Sequence, residues 1–341
     1  MTTRADGDAT MPAVDDRGPA IAITPILSAR HRARDLERIA TAWPDGPFVM
    51  VATDGRADGP LDTVQVLFAG ALSAEGLERI VGRSPNLRWI HSAAASVDRV
   101  IAAVHGRPEI TITNARGVFS RPVAEYVVMM ALAVARRLPQ LLELQRERTW
   151  QPLEGRELSE LTVGVVGLGS LGGEIARSLA VLGSRVVCTR RRPETAEAVP
   201  GVETLGGPGA LPALLAASDI VVLAVPLTPE TAGLVGADEL AAMRPGAWLI
   251  NVSRPRVLDE HALLRALRDG RIGGAVLDTL REQPLPPTSP FYDLENVIIT
   301  PNTSWSTDRV LDRSIALFCE NLERYRRGEP LVNVVDPAAG Y

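Results

Sequence analysis

Short runs of apolar, often β-branched residues alternate with stretches of helical periodicity along nearly the whole chain. Residues 20–24, 48–52, 64–68, 87–91 and 110–113 read as strands, and 32–43, 73–81 and 97–103 between them as helices or turns. Strands that alternate with helices predict an α/β protein with a largely parallel sheet. A longer helical stretch runs from about Pro122 to about Arg148. Pro139 is expected to kink it, because proline lacks an amide and crowds the carbonyl four residues back. More strand-like runs follow at 163–166, 186–188, 220–224, 247–251, 274–277 and 297–299, before an amphipathic helix at 307–327 and an irregular tail.

Residues 161–193 carry the sharpest local signal. An apolar run meets Gly167-x-Gly169-x-x-Gly172, then a helical run with Ile175, Leu179 and Leu182, then a second apolar run. Strand, tight turn, helix and strand in this order make a dinucleotide-binding unit. One glycine permits the turn, one lets backbone approach a pyrophosphate, and one lets helix pack on strand; the phosphates sit on the helix N-terminus. Ser170 and Leu171 lie inside that turn. After the second strand comes Thr189-Arg190-Arg191-Arg192, with no carboxylate until Glu194. A ribose 2′-OH is usually bonded by Asp or Glu there, whereas guanidinium groups suit a 2′-phosphate. NADP(H) is therefore the expected cofactor, with NAD(H) possible.

Composition narrows the picture. At 341 residues and 46% apolar, the chain is long enough for two domains. A net charge of −5 argues against a nucleic-acid partner. All 36 basic residues are arginine, which removes lysine Schiff-base chemistry. Cys188 on a predicted strand and Cys319 on a predicted helix are expected to stay unpaired, as in a reducing, cytoplasmic setting. The apolar run 127–135 is too short to span a bilayer. Residues 1–19 are polar and lack an apolar segment, so a disordered arm is expected rather than a signal peptide. No metal site is expected.

The simplest parse has two doubly wound, Rossmann-like parallel-sheet domains. Residues 20–115 and 303–341 would bind substrate, and 116–302, inserted between them, would bind the cofactor, with a substrate cleft between the two.

Several segments together resemble the D-isomer-specific 2-hydroxyacid dehydrogenases, which include the glyoxylate/hydroxypyruvate reductases. They are LRWIHSAAASVDRV (87–100), ITNARGVFSRPVAEYV (112–127), VGVVGLGSLG (163–172), VPLTPETAGLVGADEL (225–240), GAWLINVSRPRVLDEHALLRAL (246–267) and GAVLDTLREQPLPPTSPFYDLENVIITPNTSW (274–305). The resemblance implies hydride transfer between NAD(P)(H) and a small 2-oxo or 2-hydroxy acid. It implies that Arg254 polarises the substrate ketone and binds its carboxylate, and that the amides of Ala94, Ala95 and Ser96 hold that carboxylate. It also implies cofactor contacts at Pro226, Thr231, Val252 and Asp278, and a homodimer built on residues 122–148, with Trp150 reaching the partner.

Three positions depart from the family pattern. Pro255 follows the arginine where glycine is usual. Asn302 stands in the place of the catalytic His, and Gln283 in the place of the Glu that orients it. Reduction of a ketone needs a proton donor with a pKa near working pH, which imidazole has and a carboxamide lacks. His31 and His105 lie on predicted surface segments, His261 heads a helix, and His91 reads as a satisfied core histidine. Tyr126, Tyr292 and water remain open as donors. Two functions follow: an NADP(H)-dependent oxidoreductase with an atypical acid/base site, or a pseudo-enzyme that binds NADP(H) as a sensor. A variant of the first moves hydride without a proton donor.

Overall fold

The computed structural model describes residues 20–24, 32–44, 46–191, 199–207 and 209–337. The expected N-terminal arm, His31, Arg192 and Glu194 lie outside them. The chain divides into two compact units, Met1–Val118 with Asp308–Tyr341, and Phe119–Thr307.

The first unit is built in the order β1 (Ala20–Ile23), α1 (Arg32–Ala42), β2 (Phe48–Met50), β3 (Val64–Ala69), α2 (Ala74–Arg83), β4 (Trp89–Ser92), α3 (Asp98–Ala103) and β5 (Thr111–Asn114). Its sheet is parallel, with strand order β2-β1-β3-β4-β5. Successive residues of a strand point to opposite faces. Ala20 and Ala22 accordingly enter one core with Leu67 and Ile90, while Ile21 and Ile23 enter another with Phe68 and Trp89.

The second unit contains α4 (Ser120–Ala135), α5 (Leu138–Arg146), β6 (Thr162–Val166), α6 (Ser170–Val181), β7 (Arg185–Thr189), β8 (Val202–Leu205), α7 (Ala210–Ala217), β9 (Ile220–Leu223), α8 (Ala237–Ala242), β10 (Trp248–Asn251), α9 (Glu260–Arg268), β11 (Gly274–Leu277) and β12 (Val297–Ile299). The order β12-β11-β10-β9-β6-β7-β8 is again all parallel and covered on both faces. It reverses direction beside β6, and in open α/β sheets that switch point is where ligands bind. The final helix α10 (Asp308–Arg327) returns to the first unit, where Phe318 and Leu322 join Ile39 of α1. Among the described residues no helix is long and apolar enough to cross a membrane.

One expected element is corrected. Residues 122–148 form two helices rather than one kinked at Pro139. The break falls at Arg136 and Arg137, where Arg137 turns left-handed with φ 56°. Pro139 then occupies the first turn of α5, where a missing amide costs nothing because no carbonyl waits for it. The expected set of elements also lacked β8, α7 and α8.

Candidate active site

In the glycine loop the three glycines have different surroundings. Gly167 has φ +101°, and a Cβ there would lie 2.7 Å from Val225 Cγ1. A Cβ on Gly172 would lie 1.8 Å from the Gly167 carbonyl oxygen, so α6 packs against the turn with no room for a side chain. A Cβ on Gly169 would meet nothing within 4 Å. Gly169 is also the N-cap of α6 and offers no side-chain cap, which leaves the first amides of the helix to a ligand. Open space over uncapped amides fits a pyrophosphate. Thr189 Oγ1 at the end of β7 accepts the Gly167 amide at 3.3 Å, and Ser170 pairs with Ser120 through their hydroxyls at 2.9 Å. Leu171 is half-buried against the adjoining core.

Arg190 and Arg191 follow β7. The Arg190 amide bonds the Leu205 carbonyl, and Arg191 is exposed near Glu230. The Glu230 carboxyl lies below its usual range, first through the Thr228 hydroxyl and in smaller part through the Arg191 charge. Pro226 and Thr231 lie on the loop after β9, which closes on itself through Thr231 Oγ1, donating to the Pro226 carbonyl at 2.6 Å. Val252 is buried just beyond β10.

Arg254 sits where β10 gives way to α9. Asn251 Oδ1 accepts the Ser253 amide and hydroxyl at 3.1 and 2.8 Å, making a local turn. Arg254 is extended at φ −125° and ψ 145°, and Pro255 opens a short 3₁₀ turn to Val257. A residue before proline is pushed towards extended backbone, so Pro255 pins the Arg254 backbone where glycine would have left it free. The Arg254 side chain is half-buried and donates to the Ser253 carbonyl at 3.1 Å. Asp259 then caps α9 through the amides of His261 and Ala262.

The remaining site residues form one network. Asp278, buried at the end of β11, accepts the Thr300 hydroxyl at 2.6 Å and the amides of Thr303 and Ser304 at 2.8 and 3.1 Å. Its carbonyl accepts the Asn302 amide at 2.8 Å. Thr300 pairs in turn with the Tyr126 hydroxyl at 2.7 Å. Asn302, left-handed at φ 52°, is thus held on both sides by Asp278. Its Nδ2 donates to Gln283 Oε1 at 3.0 Å, and Gln283 Nε2 donates to the Leu280 carbonyl at 2.8 Å. The Asn302 and Gln283 side-chain amides are therefore hydrogen-bonded to each other. Sequence reading missed Thr300, although it stands two residues before Asn302.

Ala94, Ala95 and Ser96 lie in the first unit, on the exposed loop after β4. Asn114 Nδ2 donates to the Ala95 carbonyl at 3.0 Å, and the Ala115 amide bonds that of Ala94. A small cavity at this loop is lined by Gly70, Leu72, Ser92, Ala94, Ser96 and Arg99.

The proton-donor candidates fare unequally. Burial pushes the Tyr126 phenol up to about 12. His105 and His261 are exposed. His91 is buried among Phe68, Trp89 and Phe318, but it is only half satisfied. Its Nδ1 pairs with Thr113 Oγ1 at 2.8 Å while Nε2 has no partner among the described residues, and burial drives its pKa down to about 3.

Two parallel sheets, one carrying a glycine loop at its switch point, define a dinucleotide-binding α/β protein. Residues 128–304 match the D-isomer specific 2-hydroxyacid dehydrogenase NAD binding domain. The chain is 32% identical over 282 residues to a glyoxylate reductase of Korarchaeum cryptofilum, covering 81% of this chain and 82% of that protein. A D-isomer specific 2-hydroxyacid dehydrogenase from Xanthobacter autotrophicus Py2, solved with NADPH and MES, superposes with a TM-score of 0.82 at 34% identity, covering 95% of this chain and 99% of that one. An NADPH-dependent glyoxylate/hydroxypyruvate reductase from Sinorhizobium meliloti, solved with NADP and sulfate, gives 0.81 at 28% identity, with the same coverage. The chain belongs to the D-isomer-specific 2-hydroxyacid dehydrogenases, a family of NAD(P)-dependent oxidoreductases acting on CH–OH groups.

Proposed function

We propose that this protein is an NADP(H)-dependent oxidoreductase acting on a small 2-oxo or 2-hydroxy acid through a rebuilt acid/base site. The Asn302–Gln283 hydrogen bond carries the proposal. A decayed site has no reason to keep two substituted residues bonded at 3.0 Å, with the second anchored on the Leu280 carbonyl. NADPH, when bound, supplies the hydride. The Gly167–Gly172 loop and the first amides of α6 hold its pyrophosphate, while Arg190 and Arg191 hold its 2′-phosphate. The two structural neighbours solved with NADPH and NADP support that choice. Arg254 draws charge from the substrate carbonyl and orients its carboxylate. The exposed loop amides of Ala94, Ala95 and Ser96 are suited to a carboxylate, and Asn302 touches the reacting group. Cofactor binding falls to the second unit and the carboxylate loop to the first.

A sensor that binds NADP(H) without turnover is the second reading, favoured by the lost imidazole. Both are tested by assaying 2-oxo acids with NADPH and NADH beside cofactor binding. NADPH consumption with some 2-oxo acid, and tighter binding of NADPH than NADH, is the expected result. Binding without turnover of any substrate class establishes the sensor.

The assembly we propose is a homodimer. Met129, Leu132, Leu138, Leu141, Leu142 and Trp150 are exposed on and just beyond α4 and α5, and no residue of α5 is buried. A second copy would cover this apolar face. Both cysteines are free thiols, which suits a cytoplasmic setting.

A further inference from the structure

The orientation of Asn302 follows from chemistry rather than from assignment. The Leu280 carbonyl can only accept, so the Gln283 atom 2.8 Å from it is the NH₂ group. Gln283 therefore presents its oxygen to Asn302, and an oxygen without hydrogen requires the Asn302 NH₂ as its partner. Asn302 Oδ1 is left without a partner among the described residues, on an exposed side chain whose backbone is tied to Asp278 and Thr300. Where a protonated imidazole would present an acidic donor to a ketone, this side chain presents a free acceptor, Oδ1, beside the second, non-acidic N–H of Nδ2.

Among the described residues of the second unit, the groups around Asn302 offer no replacement acid. Asp278 is engaged by Thr300, Thr303 and Ser304. Tyr126 is buried and bonded to Thr300. Glu282 is exposed, and no hydrogen bond joins it to Asn302. A ketone oxygen could take the remaining Asn302 N–H as a hydrogen bond but would meet repulsion from Oδ1, and it would leave as an alkoxide because a carboxamide cannot give up its proton. A protonated imine has the opposite needs: it carries an N–H that Oδ1 can accept, and it becomes a neutral amine on taking hydride.

We propose that the preferred substrate is the protonated imine of a 2-oxo acid, with its N–H donated to Asn302 Oδ1 and its carboxylate on Arg254. This rests on the oxidoreductase function proposed above. One hydride from NADPH adds to the imine carbon. The C=N π pair moves onto nitrogen as the amine lone pair, NADPH becomes NADP⁺, and the amine takes a proton from solvent afterwards. No enzyme-bound acid is consumed. Such imines form without catalysis from a 2-oxo acid and ammonia or a primary amine, so the place of the reaction is reductive amination.

The test has a kinetic and a binding arm. NADPH oxidation is followed with 1-piperideine-2-carboxylate, a preformed cyclic imine, against pyruvate and glyoxylate; kcat/KM is expected to favour the imine by about tenfold or more. Calorimetry then compares pyrrole-2-carboxylate with furan-2-carboxylate on the NADP⁺-saturated protein. The two rings have the same shape and differ by an N–H against an oxygen. The pyrrole is expected to bind about tenfold tighter, and Asn302→Gly, which suits the left-handed backbone, is expected to erase that difference. Equal binding of the two rings, or faster turnover of 2-oxo acids, overturns the imine proposal and leaves the oxidoreductase standing. Bound NADPH with no turnover of either class overturns both.

Discussion

Asn302 and Gln283 matter because a single ring in place of an amide changes which proton is on offer. Restoring the pair as Asn302→His with Gln283→Glu should raise turnover of glyoxylate or hydroxypyruvate by roughly 10² or more, the usual contribution of a positioned acid. Asn302→His alone should gain less, because the Glu fixes the imidazole tautomer and raises its pKa. NADPH affinity, measured beside turnover, should barely change. A double variant that binds NADPH yet remains as slow as the parent would move the defect away from the missing acid. His91 makes a separate prediction. Folding lowers its pKa from 6.5 to about 3, so the unfolded chain binds a proton that the folded chain refuses. The stability His91 contributes is complete above pH 6.5 and is lost as pH falls towards 3, by several kcal/mol in total, about 1.4 for each pH unit. Urea unfolding from pH 7 to 4 should show His91→Gln losing less stability than the parent over that window.

At the scale of elements, the contact of α6 with its preceding turn is the least forgiving. Gly172→Ala would drive a methyl into the Gly167 carbonyl. A loss of about 1–3 kcal/mol is expected, read from urea midpoints, together with loss of NADPH binding. The same scale shows how far sequence carries. Every strand of the two sheets except β8, and the three distinct settings of the loop glycines, follow from periodicity and spacing. β8 escaped because it is a short edge strand with no fully buried residue, and α7 because its apolar run, interrupted by Pro212, lacks a polar face. Arg137 could not be foreseen as the break, since nothing local separates it from Arg136. In the site, Asn302 and Gln283 are legible only through the family resemblance, and their mutual hydrogen bond is not. The Tyr126–Thr300–Asp278 chain is not, because its first bond spans 174 residues and exists only once α4 has packed.

For the whole molecule, assembly is the open quantity with a direct measurement. The exposed leucines of α5 and the fully exposed Trp150 predict a particle of twice the chain mass by light scattering at micromolar concentration. Leu141→Glu with Leu142→Glu should halve it. A parent that is already monomeric would refute the dimer.

The return of α10 to pack on α1 also sets a timetable for synthesis. The second unit is one continuous segment and can fold as soon as it leaves the ribosome. The first unit cannot. Ile39, Trp43, Phe68 and Trp89 are shielded by Phe318, Leu322 and Tyr325, which are made only after the whole second unit. For most of translation the earliest part of the chain therefore shows an uncovered aromatic face. A chain stalled before residue 308 should be captured by chaperones through its first hundred residues, while its later half is already resistant to protease.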